Sequence, residues 1–139
     1  MKAVTIIPHL SFCGNCEEAI TKWIEAFGGE VNWLSRWSED TYDATPEQIG
    51  KVMHAEFTLG CTRLAASDAY LAASPALKLM IRMDDVHQAR NAIAILSQGG
   101  EILSPLHPHP APDDSGCGSI TRDRFGYTWI ITCPNPDKH

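Results

Sequence analysis

Two stretches of this chain resemble one another at a distance of half its length. Asn15 opens a helical pattern that ends in Gly28-Gly29-Glu30-Val31, and Asp85 opens another that ends in Gly99-Gly100-Glu101-Ile102. The offsets are 70 and 71 residues (85 − 15 and 99 − 28) in a chain of 139. That spacing predicts a duplicated module, whereas a solenoid would need several shorter repeats. The modules are expected at about residues 1–70 and 75–135. Together they form one domain spanning 1–139, because a chain of this length holds one sizeable core and is too short for two ordinary domains.

Periodicity supplies the elements of each module. Ala19, Ile20, Trp23, Ile24 and Phe27 recur at steps of three or four, and so do Val86, Ala89, Ile93 and Leu96, so each helix has one apolar face to bury. Asn15 and Asp85 are expected as N-caps, Glu17 and Glu18 favour the positive end of the first helix dipole, and Gly99 is expected as the second C-cap. Strand alternation is seen over 4–12, 31–37, 52–59, 62–67, 77–83, 101–106, 119–122 and 127–133. The order is βαβββ, twice.

Composition narrows the partners. With 20% charged and 44% hydrophobic residues the chain is globular, and its net charge of −6 without a basic stripe argues against nucleic acid. No apolar run reaches the length of a membrane span, and the first residues lack a signal-peptide core, so no membrane partner and a cytoplasmic address are expected. Five cysteines at irregular spacing are expected to be reduced thiols rather than a disulfide framework.

The segments IIPHLSFCGNCEEAI, AFGGEV, VMHAEFTLGCTRLAASDA, MDDVHQA, QGGEI and RDRFGYTWII span nearly the whole chain. As a set they resemble the PhnB-like branch of the vicinal oxygen chelate superfamily, which includes glyoxalases, bleomycin-resistance proteins and extradiol dioxygenases. The resemblance implies an α+β fold in which two βαβββ modules form a curled eight-stranded mixed sheet around a cavity, helices outside, paired as a homodimer. In that branch the GNC segment is the turn into the first helix, so Cys13 and Cys16 read as incidental thiols at a helix start. Cys16 at a helix N-terminus could still have a lowered pKa and react.

Alternation sorts the strands into helix-facing and cavity-facing sides. Leu10, Phe12, Met53, Ala55, Phe57, Leu59, Leu79, Ile81, Trp129 and Ile131 mark the helix side. His9, His54, Glu56, Lys78, Arg82 and Thr128 are left on the cavity side as candidate ligand-binding residues. Metal-dependent superfamily members hold a divalent ion with His or Glu from the first, fourth, fifth and eighth strands. Here the resemblance places His9 at the first position. The fourth falls among Ala65, Ala66 and Ser67, the fifth is Lys78 and the eighth is Ile130. A protonated lysine repels a cation.

The expected function is therefore the binding of a small, anionic molecule near Lys78, Arg82 and His54, with no metal or other cofactor. One alternative is a metal-dependent enzyme, a lyase, isomerase or dioxygenase, with a divalent ion on a non-standard site of His9, His54 and Glu56. The other is a thiol-reactive protein using Cys13 and Cys16. Ser104–Gly118, rich in Pro, His and Asp, reads as a solvated loop carrying His107 and His109. Gly126 is expected to allow the turn into the last strand. Trp33 and Trp37 are open between core, dimer contact and ligand platform.

Overall fold

The computed structural model describes residues 3–138. The chain divides between Ala72 and Ala73 into two compact units with the same element order. The first contains β1 (His9–Ser11), α1 (Cys16–Phe27), β2 (Gly29–Arg36), β3 (Val52–Leu59) and β4 (Thr62–Ser67). The second contains β5 (Lys78–Arg82), α2 (Val86–Leu96), β6 (Glu101–Pro108), β7 (Gly116–Arg122) and β8 (Thr128–Pro134). The strands are hydrogen-bonded as two four-stranded sheets, ordered β1-β4-β3-β2 and β5-β8-β7-β6. In each sheet the first strand runs parallel to the fourth and the other pairs are antiparallel.

The repeated Gly-Gly-Glu has a steric cause. Gly28 closes α1 at φ 77° with its N–H on the Ile24 carbonyl. A Cβ on Gly29 would overlap the Thr58 carbonyl, and a Cβ on Gly100 would overlap the Arg122 carbonyl. Each second glycine thus lets the chain leaving the helix lie against the neighbouring strand. The second helix ends differently from the sequence expectation. Its C-cap is Ser97 in the ordinary helical region, and Gly99 (φ 72°) lies in the turn that follows.

Each helix covers one face of its sheet. α1 buries Cys16, Ala19, Ile20, Trp23 and Ala26, with the Trp23 ring 5.4 Å from Phe12 and 6.3 Å from Phe57. Ile24 and Phe27, expected inside, are only half-buried, and Cys16 and Ala26 take the inward positions. α2 buries Ala89, Ala92, Ile93 and Leu96. Full burial of a side chain such as Phe57 contributes roughly 1.5–3 kcal/mol.

The two helix starts are built unequally. Asp85 caps α2 as expected, its carboxylate accepting from the Gln88 N–H at 2.8 Å. Asn15 occupies the N-cap of α1 but its side chain makes no cap bond. Asp68, at the end of β4 and 1% exposed, does that work instead. It accepts from the Gly14, Cys16 and Val52 N–H groups at 2.8, 3.0 and 2.9 Å, tying helix start, β3 and β4 to one carboxylate.

Two segments depart from the sequence reading. The first strand is shorter than 4–12: its ladder begins after Pro8, which has no N–H to donate, and Val4 and Ile6 are exposed. The expected loop from Ser104 to Gly118 is shortened to residues 109–115, because β6 runs through Pro108 and β7 begins at Gly116, with His107 opposite Gly118 and Pro108 opposite Cys117. β6 is an edge strand, where prolines are tolerated because no outer partner needs their N–H. Among the described residues no helix is long and apolar enough to cross a membrane.

Candidate functional site

In the first unit, register sets the face opposite α1. His9 pairs with Ala65, Glu56 with both Ala65 and Trp33, and Ser35 with His54, so these side chains share that face. Three of the expected residues are brought together there. The His9 and His54 rings stack at 6.0 Å, His54 Nε2 lies 3.3 Å from Glu56 Oε2, and His9 Nε2 lies 3.2 Å from Ser67 Oγ. Burial and then the charge on His54 lower the pKa of His9. Trp33, half-exposed on the edge strand β2, leans on His54 at 5.4 Å, which places it at this cluster rather than in the core. Among the described residues no group of three or more His, Cys, Asp or Glu is placed to hold a metal ion.

In the second unit the face opposite α2 carries Lys78, Met80 and Arg82 from β5 and their partners Thr128, Ile130 and Thr132 from β8. One end of this face opens into a cavity of about 600 Å³, within the usual range for small-molecule pockets. Met80, Arg82, Ile130 and Thr132 form its floor, with His109 and Asp84 at its sides. Neither Arg82 nor Lys78 has an ion-pair partner among the described residues. Lys78 and Thr128 lie outside the cavity, about 13 Å from Arg82 along the strand, and Thr128 is buried. Arg82 is thus the one expected residue in this cavity.

His109 is the residue that sequence reading missed. Its N–H bonds the Gly116 carbonyl at 2.9 Å, and its ring lies over the β7 backbone, so that a Cβ on Gly118 would sit 2.6 Å from His109 Cε1. The alternation Gly116-Cys-Gly118 was the available signal: two glycines on one strand face leave room for a ring. His107, in contrast, turns back on the Pro105 carbonyl at 2.7 Å.

The thiol expectation is corrected for Cys16. Burial, followed by the charges of Asp68 and Glu17, pushes its pKa up to about 12. Burial first, and then the carboxylate that caps the helix, oppose thiolate formation. All five cysteines are unpaired, with Cys13 and Cys61 exposed. The turn into β8 is held by Asp123, whose carboxylate accepts from the Phe125 and Tyr127 N–H groups and from Trp129 Nε1, with Gly126 at φ 94° as expected.

Residues 4–132 match the model of a family described as 3-demethylubiquinone-9 3-methyltransferase. Among solved structures, the PhnB protein from Bacillus cereus superposes with a TM-score of 0.79 at 27% identity, covering 94% of this chain and 99% of that one. Protein PA1353 from Pseudomonas aeruginosa gives 0.80 at 26% identity, with 95% and 98% covered. The fosfomycin resistance protein FosX from Mesorhizobium loti gives 0.61 at 14% identity, with 98% and 96% covered, a likeness of fold alone. The fold is that of the vicinal oxygen chelate superfamily. No curated protein matches the chain.

Proposed function

The chain belongs to the 3-demethylubiquinone-9 3-methyltransferase family, PhnB-like in fold, and from that premise we propose that it binds a small organic acid in the cavity of its second unit. The observation that carries this reading is Arg82, an unpaired guanidinium beside the apolar Met80 and Ile130 on the cavity floor. Such a floor takes an apolar body, and a guanidinium takes a carboxylate head by charge-assisted hydrogen bonds. Thr132 and His109 supply further polar contacts, and Asp84 favours a donor group elsewhere on the ligand.

The reading is metal-free. At the positions where metal-dependent relatives place ligands, Ser67 is hydrogen-bonded to His9, Lys78 brings a positive charge, and Ile130 has no donor atom. These residues do not fit a divalent ion. The alternative, a non-standard divalent site on His9, His54 and Glu56, has its three side chains on one face but, among the described residues, not placed to hold an ion together. Elemental analysis of untagged protein purified without chelator separates the two: stoichiometric zinc, manganese, nickel or iron lost in His9→Ala supports the second.

Two further points belong to the reading. The edge strands β2 and β6 expose Val31, Trp33, Ile102 and Leu103, which supports pairing as a homodimer. Five unpaired thiols suit the reducing cytoplasm.

The test is calorimetric titration with phenylbutyrate and its neutral counterpart phenylbutanol. The acid should bind at least about tenfold tighter, Arg82→Ala should abolish the difference, and Asp84→Asn should increase it. Equal binding of acid and alcohol, or binding of neither, removes the proposal.

A further inference from the structure

The second unit holds a row of sulfur atoms that the organic-acid reading does not use. Cys117 on β7 and Cys133 on β8 are direct partners in the antiparallel ladder. Met83 continues the parallel register of β5 on β8, in which Arg82 faces Thr132, and its N–H bonds the Thr132 carbonyl at 2.8 Å. Met83, Cys133 and Cys117 therefore stand side by side across three adjacent strands. They share the face turned toward α2, opposite the Arg82 face.

Directly opposed residues bring their Cβ atoms about 4.5–5.5 Å apart, within reach of a common atom. Cys117 is close enough to act on the Cys133 thiol. Both cysteines are about 5% exposed, at 5% and 4%, yet they and Met83 line the rim of the same cavity, which gives the row a route to solvent.

We propose that Met83, Cys133 and Cys117 form a binding site for a soft monovalent d10 cation, Cu(I). Donor chemistry selects the ion. Thiolate and thioether sulfur prefer Cu(I), and Cu(I) accepts two or three ligands, whereas zinc, which also takes thiolates, wants four and hard divalent ions want oxygen donors that this row lacks. Binding replaces two S–H bonds by two S–Cu bonds and releases two protons. The bis-thiolate complex carries one negative charge; burial and then Cys117 hold the Cys133 thiol above its ordinary value, so the ion must displace its proton, with Arg90 of α2 acting in the favourable direction. Asp85 acts on the same thiol with the opposite sign.

The experiment is anaerobic titration with Cu(I) against a chromogenic chelator, in a Cys13→Ser/Cys61→Ser background that removes the exposed thiols. One equivalent should bind, with sulfur as the only ligating atom in X-ray absorption. Cys133→Ser and Cys117→Ser should each weaken binding by at least about tenfold, the loss usual for removing even an outer partner of a metal ligand. Met83→Leu, which conserves volume and keeps the core packed, should weaken it measurably and remove one sulfur from the spectrum. Binding that is unchanged in all three variants, a nitrogen- or oxygen-rich shell, or no uptake by the folded background protein overturns the proposal. The site is independent of the organic-acid reading: Arg82→Ala should abolish acid selectivity and leave Cu(I) affinity unchanged.

Discussion

The imidazoles of His9 and His54 stack with centroids 6.0 Å apart and planes 20° from parallel, on strands far apart in sequence. Burial first, and then the charge of His54, hold His9 below the usual 6.5. The unfolded chain therefore takes up a proton before the folded chain does, and stability rises with pH across that interval. This contribution is intact above about 6.5, declines as pH falls through that value, and levels off below the folded-state pKa. Denaturant midpoints should fall between about pH 7 and pH 5, and His9→Gln should flatten that part of the profile. In NMR titration, His54→Ala should move the His9 midpoint upward. An unmoved midpoint would remove His54 as a cause.

Gly100→Ala tests the steric origin of the repeated motif without a positive-φ complication, because φ at Gly100 is ordinary. Its Cβ would meet the Arg122 and Asp123 backbone, which cannot move aside as a side chain can. A loss of about 1–3 kcal/mol is expected from chemical denaturation. A neutral result would show that the close approach is not a constraint.

Gly118→Ala should act differently. The atom in the way is His109 Cε1, at 2.6 Å, the end of a rotatable side chain. The imidazole should swing away with little change in melting temperature, and phenylbutyrate affinity should change. A large loss of stability with unaltered affinity would contradict the placement of His109 at the cavity.

Asp68→Ala should cost about 3 kcal/mol or more, because it leaves the Gly14, Cys16 and Val52 N–H groups without their shared acceptor. Amide exchange should accelerate at all three positions. Protection retained at Cys16 would mean that another group caps α1.

Alkylation of the native protein near neutral pH should label Cys13 and Cys61, which are exposed, and spare Cys16, whose pKa lies at about 12. Rapid labelling of Cys16 would revive the thiol alternative.

Legibility in the sequence followed the range of the interactions. The helices and the strand faces were readable because apolar spacing is local, and the assignment of His9, His54 and Glu56 to one face came from alternation alone. Asp68 was not readable, since it caps a helix that begins more than fifty residues earlier. The two ends of the Ser104–Gly118 segment looked like loop because their prolines and histidines carry loop propensities, which an edge position and the pairing of His107 with Gly118 override, while residues 109–115 between them are a loop as expected. The sulfur row was invisible for a similar reason: Met83, Cys117 and Cys133 become neighbours only through strand order β5-β8-β7.

The measurement that bears most directly on the ligand site is amide chemical-shift mapping of the protein titrated with phenylbutyrate. Shifts centred on Met80, Arg82, Thr132 and Gly118, absent in Arg82→Ala, are the result predicted. Shifts confined to His9, His54 and Glu56, or none at saturating acid, would contradict a ligand site in the second unit.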